Sequence, residues 1–390
     1  MNVDDSINVR RFGARGDGKT DDTVAIREAI AALPPRGGVL FFPPGHYLSD
    51  TIVAPEYTTL MGHAAWTYAH SGFGDQTKAS GTILSPVRDD MPYLIDARGK
   101  RGTRFVGLHL HGQQKGREMH GVYASNGDTG EHGSPDNKAG EQNLVIDDCR
   151  IAYFSGSGFS GYRAWVWCIR HSIFFGNGLD GIDGYSSYDA WIMDNQIAAN
   201  GRHGLVVEAS TTITGNRIEH NGQAGIEVIG PYYPHHLQIT GNMFDCNRGP
   251  AIEIPGGLPG GDPKDFTDPC YVGRKNWDGV PGRHARGIAI TGNTMHGSGC
   301  SFKEPGDRSC HVRFVGMEGL AFTGNALLSD GQAGPCYGMV LERLTDSVIA
   351  NNAMCRAARQ ELIHDKGGHR NLDVAHNPGS LVSSAPGSPP

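Results

Sequence analysis

From about residue 100 to residue 377 the apolar positions alternate over short runs bounded by glycine and asparagine. In Thr212–Val228 they fall at Ile213, Ile218, Ile226 and Val228. Alternation over so few residues predicts strands, and no helix-length apolar stripe interrupts it. Only the segment after Asp21-Asp22 departs from this pattern. There Val24, Ile26, Ile30 and Leu33 follow helical spacing, the acidic start suits a helix dipole, and Pro34-Pro35 stop the run. This predicts one helix over 22–33.

The strand pattern repeats. Phrases close to Ile-Thr-Gly-Asn end at Asn216, Asn242, Asn293 and Asn325, with worn copies at Asn195 and Asn352. Asn195 to Asn216 is a step of 21 residues, Asn216 to Asn242 one of 26 and Asn325 to Asn352 one of 27, while the step of 51 from Asn242 to Asn293 holds a long insertion. Self-similarity at this period marks a solenoid, and two or three short strands per coil mark a parallel β-helix. The fold class expected is all-β, a right-handed parallel β-helix of about ten coils. Asparagines recurring at one corner are expected to stack as a hydrogen-bonded ladder that holds turns and does no chemistry. Glycine and asparagine suit corners because both tolerate left-handed backbone. The 57 glycines in 390 residues, about twice the usual share, fit a chain made largely of corners.

The continuous repeat implies a single domain over 1–378. Within it, 8–50 form the N-terminal cap and first strands, and 255–286 a long insertion loop. Residues 379–390, rich in Ser, Pro and Gly, are expected to be a flexible tail. The helix would cover the open first coil and protect it from edge pairing. Phe12-Gly-Ala-Arg-Gly-Asp-Gly-Lys-Thr-Asp-Asp22, an Ala-Ile helix, and Gly37-Gly-Val-Leu-Phe-Phe-Pro-Pro-Gly-His-Tyr47 resemble the opening segment of the pectate-lyase-like superfamily. That group includes polygalacturonases, rhamnogalacturonases, fructotransferases and phage tailspikes. The resemblance implies a right-handed β-helix acting on a carbohydrate polymer, and leaves the reaction to the site. Leu179-Asp180-Gly-Ile-Asp183 is similar to the Asn-Thr-Asp-Gly phrase of polygalacturonases. However, Gly178 and Leu179 replace its Asn and Thr, and Arg202-His203 stands where the next coil's Asp would be.

A net charge of −7 without any cluster of five or more basic residues argues against nucleic acid as a partner. No apolar run reaches the length of a membrane span. Met1-Asn-Val-Asp-Asp lacks the regions of a secretory signal, so the protein is expected in the cytoplasm, or outside the cell with its signal removed. Eight cysteines lack metal-ligand spacing; Cys149 and Cys168 read as core, and Cys300 and Cys310 would pair in an oxidising compartment. His109 and His111 read as a surface stripe. Oligomeric state is open between monomer and homotrimer.

Aligning each coil's second strand by its inward residue gives Val122, Phe159, Ile182, Leu205, Ile226, Ile252, Val312 and Met339. The next, outward, column then reads Tyr123, Ser160, Asp183, Val206, Glu227, Glu253, Arg313 and Val340. One exterior face thus collects Asp180, Asp183, His203, Glu208, Glu227, Glu253 and Arg313, bordered by Tyr162 and Tyr185. The segments expected to wall it contribute His235 and Trp277. Aromatic rings beside carboxylates suit sugar binding. Like charges on adjacent strands are destabilising, so Glu227 beside Glu253 requires a raised pKa, a cation or a substrate.

Glycoside hydrolysis is the chemistry expected first. Asp183 with Glu227 or Glu253 would supply acid and base or nucleophile, Asp180 and Glu208 would tune them, and His203, Arg313, Tyr162, Tyr185, His235 and Trp277 would bind substrate. Transglycosylation of a fructan is a variant. β-Elimination from a uronic acid polymer is the alternative, with His203 or Arg313 as base. No cofactor is required, although a lyase could hold Ca²⁺ on Asp183, Glu227 and Glu253. A tailspike-like glycan binder is the non-catalytic reading.

Overall fold

A computed structural model describes residues 6–63, 81–126, 141–229, 235–256, 285–301, 306–329 and 334–382. All strand pairings among them are parallel, and partners lie one coil apart in sequence. The strands line three faces of a parallel β-helix. One face runs through Phe159–Tyr162, Ile182–Asp183, Leu205–Val207, Ile226–Val228 and Ile252–Ile254. A second runs through Trp165–Arg170, Tyr188–Met193, Ala209–Thr214 and His235–Thr240. The third is a separate sheet of thirteen strands, deeper than the ten or so coils expected. The first two faces join into one sheet because Cys310–Thr323 and Tyr337–Ala350 run through the corner between them.

The core is the stack of inward residues. Val122, Phe159, Ile182, Leu205, Ile226, Ile252, Val312 and Met339 pair in that order and are all fully buried, as the alternation predicts. Phe105, Phe154, Phe174, Phe244 and Phe322 fill the interior elsewhere, and Trp167 stacks on Phe159. Cys149 belongs to this core, whereas Cys168 is only half-buried. Cys300 and Cys310 are both free thiols, not a disulfide.

Two asparagine ladders fix the coils. In the first, Asn195, Asn216, Asn242, Asn293, Asn325, Asn352 and Asn377 each pass Nδ2–H to the next Oδ1 at 2.9–3.0 Å. Each such amide oxygen also accepts the preceding rung's backbone N–H. The left-handed position is not the ladder asparagine but the residue before it: Asp194, Gly215, Gly241, Gly292, Gly324 and Asn351 all have positive φ. The Gly-Asn phrase therefore splits two tasks, with glycine taking the strained backbone and asparagine the hydrogen bonds. A second ladder, Asn177–Asn200–Asn221–Asn247, repeats the arrangement at another corner. Its signal, Asn-Gly at 177, 200 and 221, stands in the sequence.

The helix spans Thr23–Ala31 and packs Ile26 and Ala29 on the first coils. Val24 is 66% exposed, so the buried stripe follows Ile26 and Ala29 and not the Val24 register. Asp22 accepts the backbone N–H groups of Arg15 and Gly16, tying the turn before the helix to its start. At the other end Gly379–Leu381 forms a strand paired to Ala353–Ala358, so the solenoid extends past the boundary expected at 378. Residues 383–390 lie outside the described residues. No helix among the described residues is long and apolar enough to cross a membrane.

Each interior ladder asparagine makes several buried hydrogen bonds, and leaving their partners unsatisfied costs about 1–3 kcal/mol apiece. Asn242→Ala is therefore expected to lower unfolding free energy by about 2–4 kcal/mol in denaturant titrations. Gln238→Ala, an exposed position on the neighbouring strand, should change it by no more than about 0.5 kcal/mol.

Candidate active site

The outward column expected from the sequence is reproduced rung by rung. Asp96, Tyr123, Ser160, Asp183, Val206, Glu227, Glu253, Arg313 and Val340 are successive register partners. Asp183 and Glu227 are thus two strand spacings apart, about 10 Å between backbones, and Glu227 and Glu253 one, about 5 Å.

Depth separates these acids. Asp180 is 0% exposed. Its carboxylate accepts from Arg202 through both oxygens and from the backbone N–H of His203 at 2.9 Å. It anchors the next coil and is not a groove acid. Glu253 is nearly as deep and is clamped by two guanidinium groups. Arg308 donates at 2.9–3.0 Å to one oxygen, and Arg313 approaches the other at 3.4 Å. Glu208 is the single residue turning the corner between Leu205–Val207 and Ala209–Thr214, and is fully buried, not exposed as expected. Arg313 holds Glu253 and also lies 3.9 Å from Asp307, which gives it a role in placing the clamp.

On the face expected to form a groove, Asp183 and Glu227 are partly exposed, whereas His203, expected on the surface, is only 5% exposed and lies against Glu227. Burial, reinforced by the charge of Asp180, raises the Asp183 carboxyl to about 6. Burial and then the neighbouring Glu253 carboxylate raise Glu227 to about 7. The requirement that Glu227 beside Glu253 carry a raised pKa is met this way. His203 Nε2 lies 3.2 Å from Glu227 Oε2. An exposed pair at that distance would be an ion pair, but burial lowers His203 to about 4 despite Asp180, with Arg202 and Arg308 pushing the same way. Between about pH 4 and 7 the contact therefore brings a neutral carboxyl against a neutral imidazole. Arg202 and Arg308, both substantially exposed, are the cations felt at His203 and Glu227 alike. Neither belongs to the outward column, so the alternation alone did not assign them to the site.

The bordering aromatics diverge. Tyr162 is exposed, with the Arg163 guanidinium over its ring. Tyr185 is half-buried and its backbone N–H caps Asp183 at 3.1 Å. Further along the same face Tyr93 and Tyr123 stack at 5.2 Å beneath Arg98. His235 begins a strand of the second face, against His236. Trp277 and most of the 255–286 insertion lie outside the described residues. His109 and His111 are buried, not a surface stripe, and Arg150 reaches His109 at 2.8 Å. Asp183 and Glu253 are three strand spacings apart, about 14 Å between backbones, and Glu253 is taken by arginines, so the trio considered for Ca²⁺ does not converge on one ion.

The profile of the family described as rhamnogalacturonase A/epimerase, pectate lyase-like, matches residues 6–229, which include Asp180 through Glu227. The chain belongs to this family. It is a family of carbohydrate-active β-helix proteins, and its matched segment ends just after Glu227, short of Glu253, Arg308 and Arg313. Among curated proteins, mannuronan C5-epimerase AlgE6 of Azotobacter vinelandii is 28% identical over 215 residues, 52% of this chain and 23% of its own length. Alginate lyase 7 of the same organism is also 28% identical over 215 residues, 52% of this chain and 24% of its own. The chain thus spans about a quarter of the length of these relatives. In fold it is similar to the AlgE6 A-module, with TM-score 0.61, 18% identity, and 98% and 99% of the two chains covered. The catalytic unit of a GH87 α-1,3-glucanase from Streptomyces thermodiastaticus gives 0.59 at 16% identity, covering 96% of this chain and 68% of that one. At these identities the two structures speak to fold alone.

The raised Glu227 pKa carries a signed consequence. The unfolded carboxyl ionises near 4.5 and the folded one near 7, so stability falls as pH rises across that interval and is flat above it. Glu227→Gln removes this penalty. The variant should match the wild type at pH 4 and exceed it by about 1–3 kcal/mol at pH 8 in parallel denaturant titrations.

Proposed function

We infer that the protein is a polysaccharide lyase acting on a uronate-bearing polymer. One observation carries this reading: His203 and Glu227 touch at 3.2 Å beside two arginines, and with the imidazole pKa lowered to about 4 and the carboxyl raised to about 7 both are neutral between those values. A uronate's C5–H becomes acidic once its carboxylate charge is neutralised, and Arg202 and Arg308 are the cations for that task. His203, uncharged above about pH 4, takes the C5 proton. The C4–C5 double bond forms, the C4–O glycosidic bond breaks, and the Glu227 O–H supplies the proton to the leaving oxygen. Transfer from the imidazolium back to the Glu227 carboxylate across their contact resets both groups.

The relatives' names support the substrate class, since mannuronan and alginate are uronate polymers. C5 epimerisation begins with the same proton abstraction, but it ends with delivery to the opposite face of the sugar. Two groups in mutual contact cannot straddle a ring, which favours elimination. A second reading, inverting glycoside hydrolysis, rests on the two-strand separation of Asp183 and Glu227. Near pH 6–7 Asp183 would be ionised as base while Glu227 kept its proton as acid.

The test is incubation with polymannuronate, alginate and polygalacturonate, following ultraviolet absorbance of unsaturated ends, reducing sugar, and deuterium at C5 from heavy water. Elimination predicts absorbance and reducing ends rising together. His203→Ala and Glu227→Gln should each lose about 10²–10⁴-fold in kcat. The pH profile should be a bell with limbs near 4 and 7. Reducing ends without absorbance would favour hydrolysis, and deuterium at C5 without cleavage would favour epimerisation.

A further inference from the structure

Away from the groove, the third face carries a second chemical cluster. Glu219, Asp245 and His296 are successive register partners on that sheet, and Cys246 follows Asp245. Ligand atoms of Asp245, Cys246 and His296 all lie within 4.8 Å of one another, and His296 Nδ1 meets Asp245 Oδ1 at 2.8 Å. All three are partly exposed, open to an ion from solvent. We propose that Asp245, Cys246 and His296 form a site for Zn²⁺ or a similar thiolate-binding divalent ion, which staples together the two coils flanking the long insertion.

The donor set selects the metal. Carboxylate, thiolate and imidazole together suit a borderline-soft tetrahedral ion and are a poor match for Ca²⁺ or Mg²⁺, which take oxygen ligands. Three protein ligands leave a fourth position for water. The backbone makes room on the sulfur side. Gly297 stands one rung from Cys246, and a Cβ there would come within 3.1 Å of Cys246 Sγ and 3.9 Å of Cys300 Sγ. A side chain at 297 would crowd the Cys246 thiol. A neighbouring grouping, Glu219, His220 and Asp245, is a weaker candidate. Its Glu219 already accepts from Arg217 and from Gln196 Nε2.

The location gives the ion a purpose. Asp245 and His296 are 51 residues apart in sequence yet adjacent in the stack, the insertion lying between them along the chain. A metal bridging them cross-links the two ends of the longest excursion in the solenoid, where closing the chain costs most entropy. The groove lies on another face, so the ion is not required for the chemistry proposed there.

The full chain titrated with Co²⁺ should bind one ion with a sulfur-to-cobalt charge-transfer band. Zn²⁺ should displace it and raise the melting temperature by a few degrees, and a chelator should reverse that rise. Cys246→Ser should abolish the charge-transfer band, and His296→Gln should weaken binding at least tenfold. Cys355→Ser, at an exposed cysteine two rungs beyond His296 on the same face, should leave both unchanged. Full retention of the band in Cys246→Ser, or no Co²⁺ or Zn²⁺ bound at micromolar concentration by the wild type, would overturn the proposal. Should Cys246→Ser fail to fold, His296→Gln decides by the same titration.

Discussion

Parallel strand stacking at a single spacing is the constraint on which this molecule rests. Each residue sits about 4.8 Å above its counterpart one coil earlier, so side chains are sorted into columns whether or not they attract one another. Apolar columns become the core, and amide columns become ladders that satisfy themselves. A column holding two glutamates in succession is the awkward case, because the register forbids them to separate. The molecule resolves it asymmetrically. Glu253 is neutralised by Arg308 and Arg313, while Glu227, turned toward His203, keeps its proton to about 7. The acid–base character of the groove thus follows from an enforced proximity that arginine relieves on only one side.

Much of this was legible in the sequence. Inward alternation fixed the register, so every member of the outward column from Tyr123 to Val340 could be named before any coordinates. The Ile-Thr-Gly-Asn phrases announced the first ladder, and the Gly-rich opening with its Ala-Ile helix announced the family. Alternation reports which side a strand residue faces but not how deep it lies. Asp180 precedes its strand, and its carboxylate turns into the fold to hold Arg202 and the His203 N–H, so its surface placement failed. Glu208 failed because it occupies a one-residue corner, where the strand's alternation no longer applies.

Other features were hidden because they arise between columns. Arg202 appeared only as a departure from a polygalacturonase phrase, and Arg308 lies in the irregular segment before Cys310. Their importance depends on reaching across to Asp180 and Glu253. The cysteines lacked metal-ligand spacing because a solenoid replaces short sequence intervals with whole coils. Cys246 and His296 are neighbours across a step no sequence motif would span.

The ladders have a consequence for how such a protein can diversify. Between the second and third faces, two residues separate consecutive strands at every turn from Asp147–Arg150 to Ala350–Ala353, and this is the corner the first ladder occupies from Asn195 onward. Between the third face and the groove face, six residues recur at every turn from Ala152 to Ile252, the stretch the second ladder spans, whereas the turns on either side of it vary, with eight residues between His111 and His120 and thirteen between His296 and Cys310. Where amides must meet at 2.9 Å, an inserted residue would break the chain of bonds on both sides. The remaining corner, just past the groove strands, shows no ladder among the described residues, and its connections range from none, where Cys310–Thr323 and Tyr337–Ala350 run straight through, and the single residue Glu208, to the thirty residues between Ile254 and Ala285. Length polymorphism is thereby channelled to the rim of the groove. Lineages of this fold can lengthen or exchange the walls around a substrate while the ruler that sets the register beneath it stays untouched.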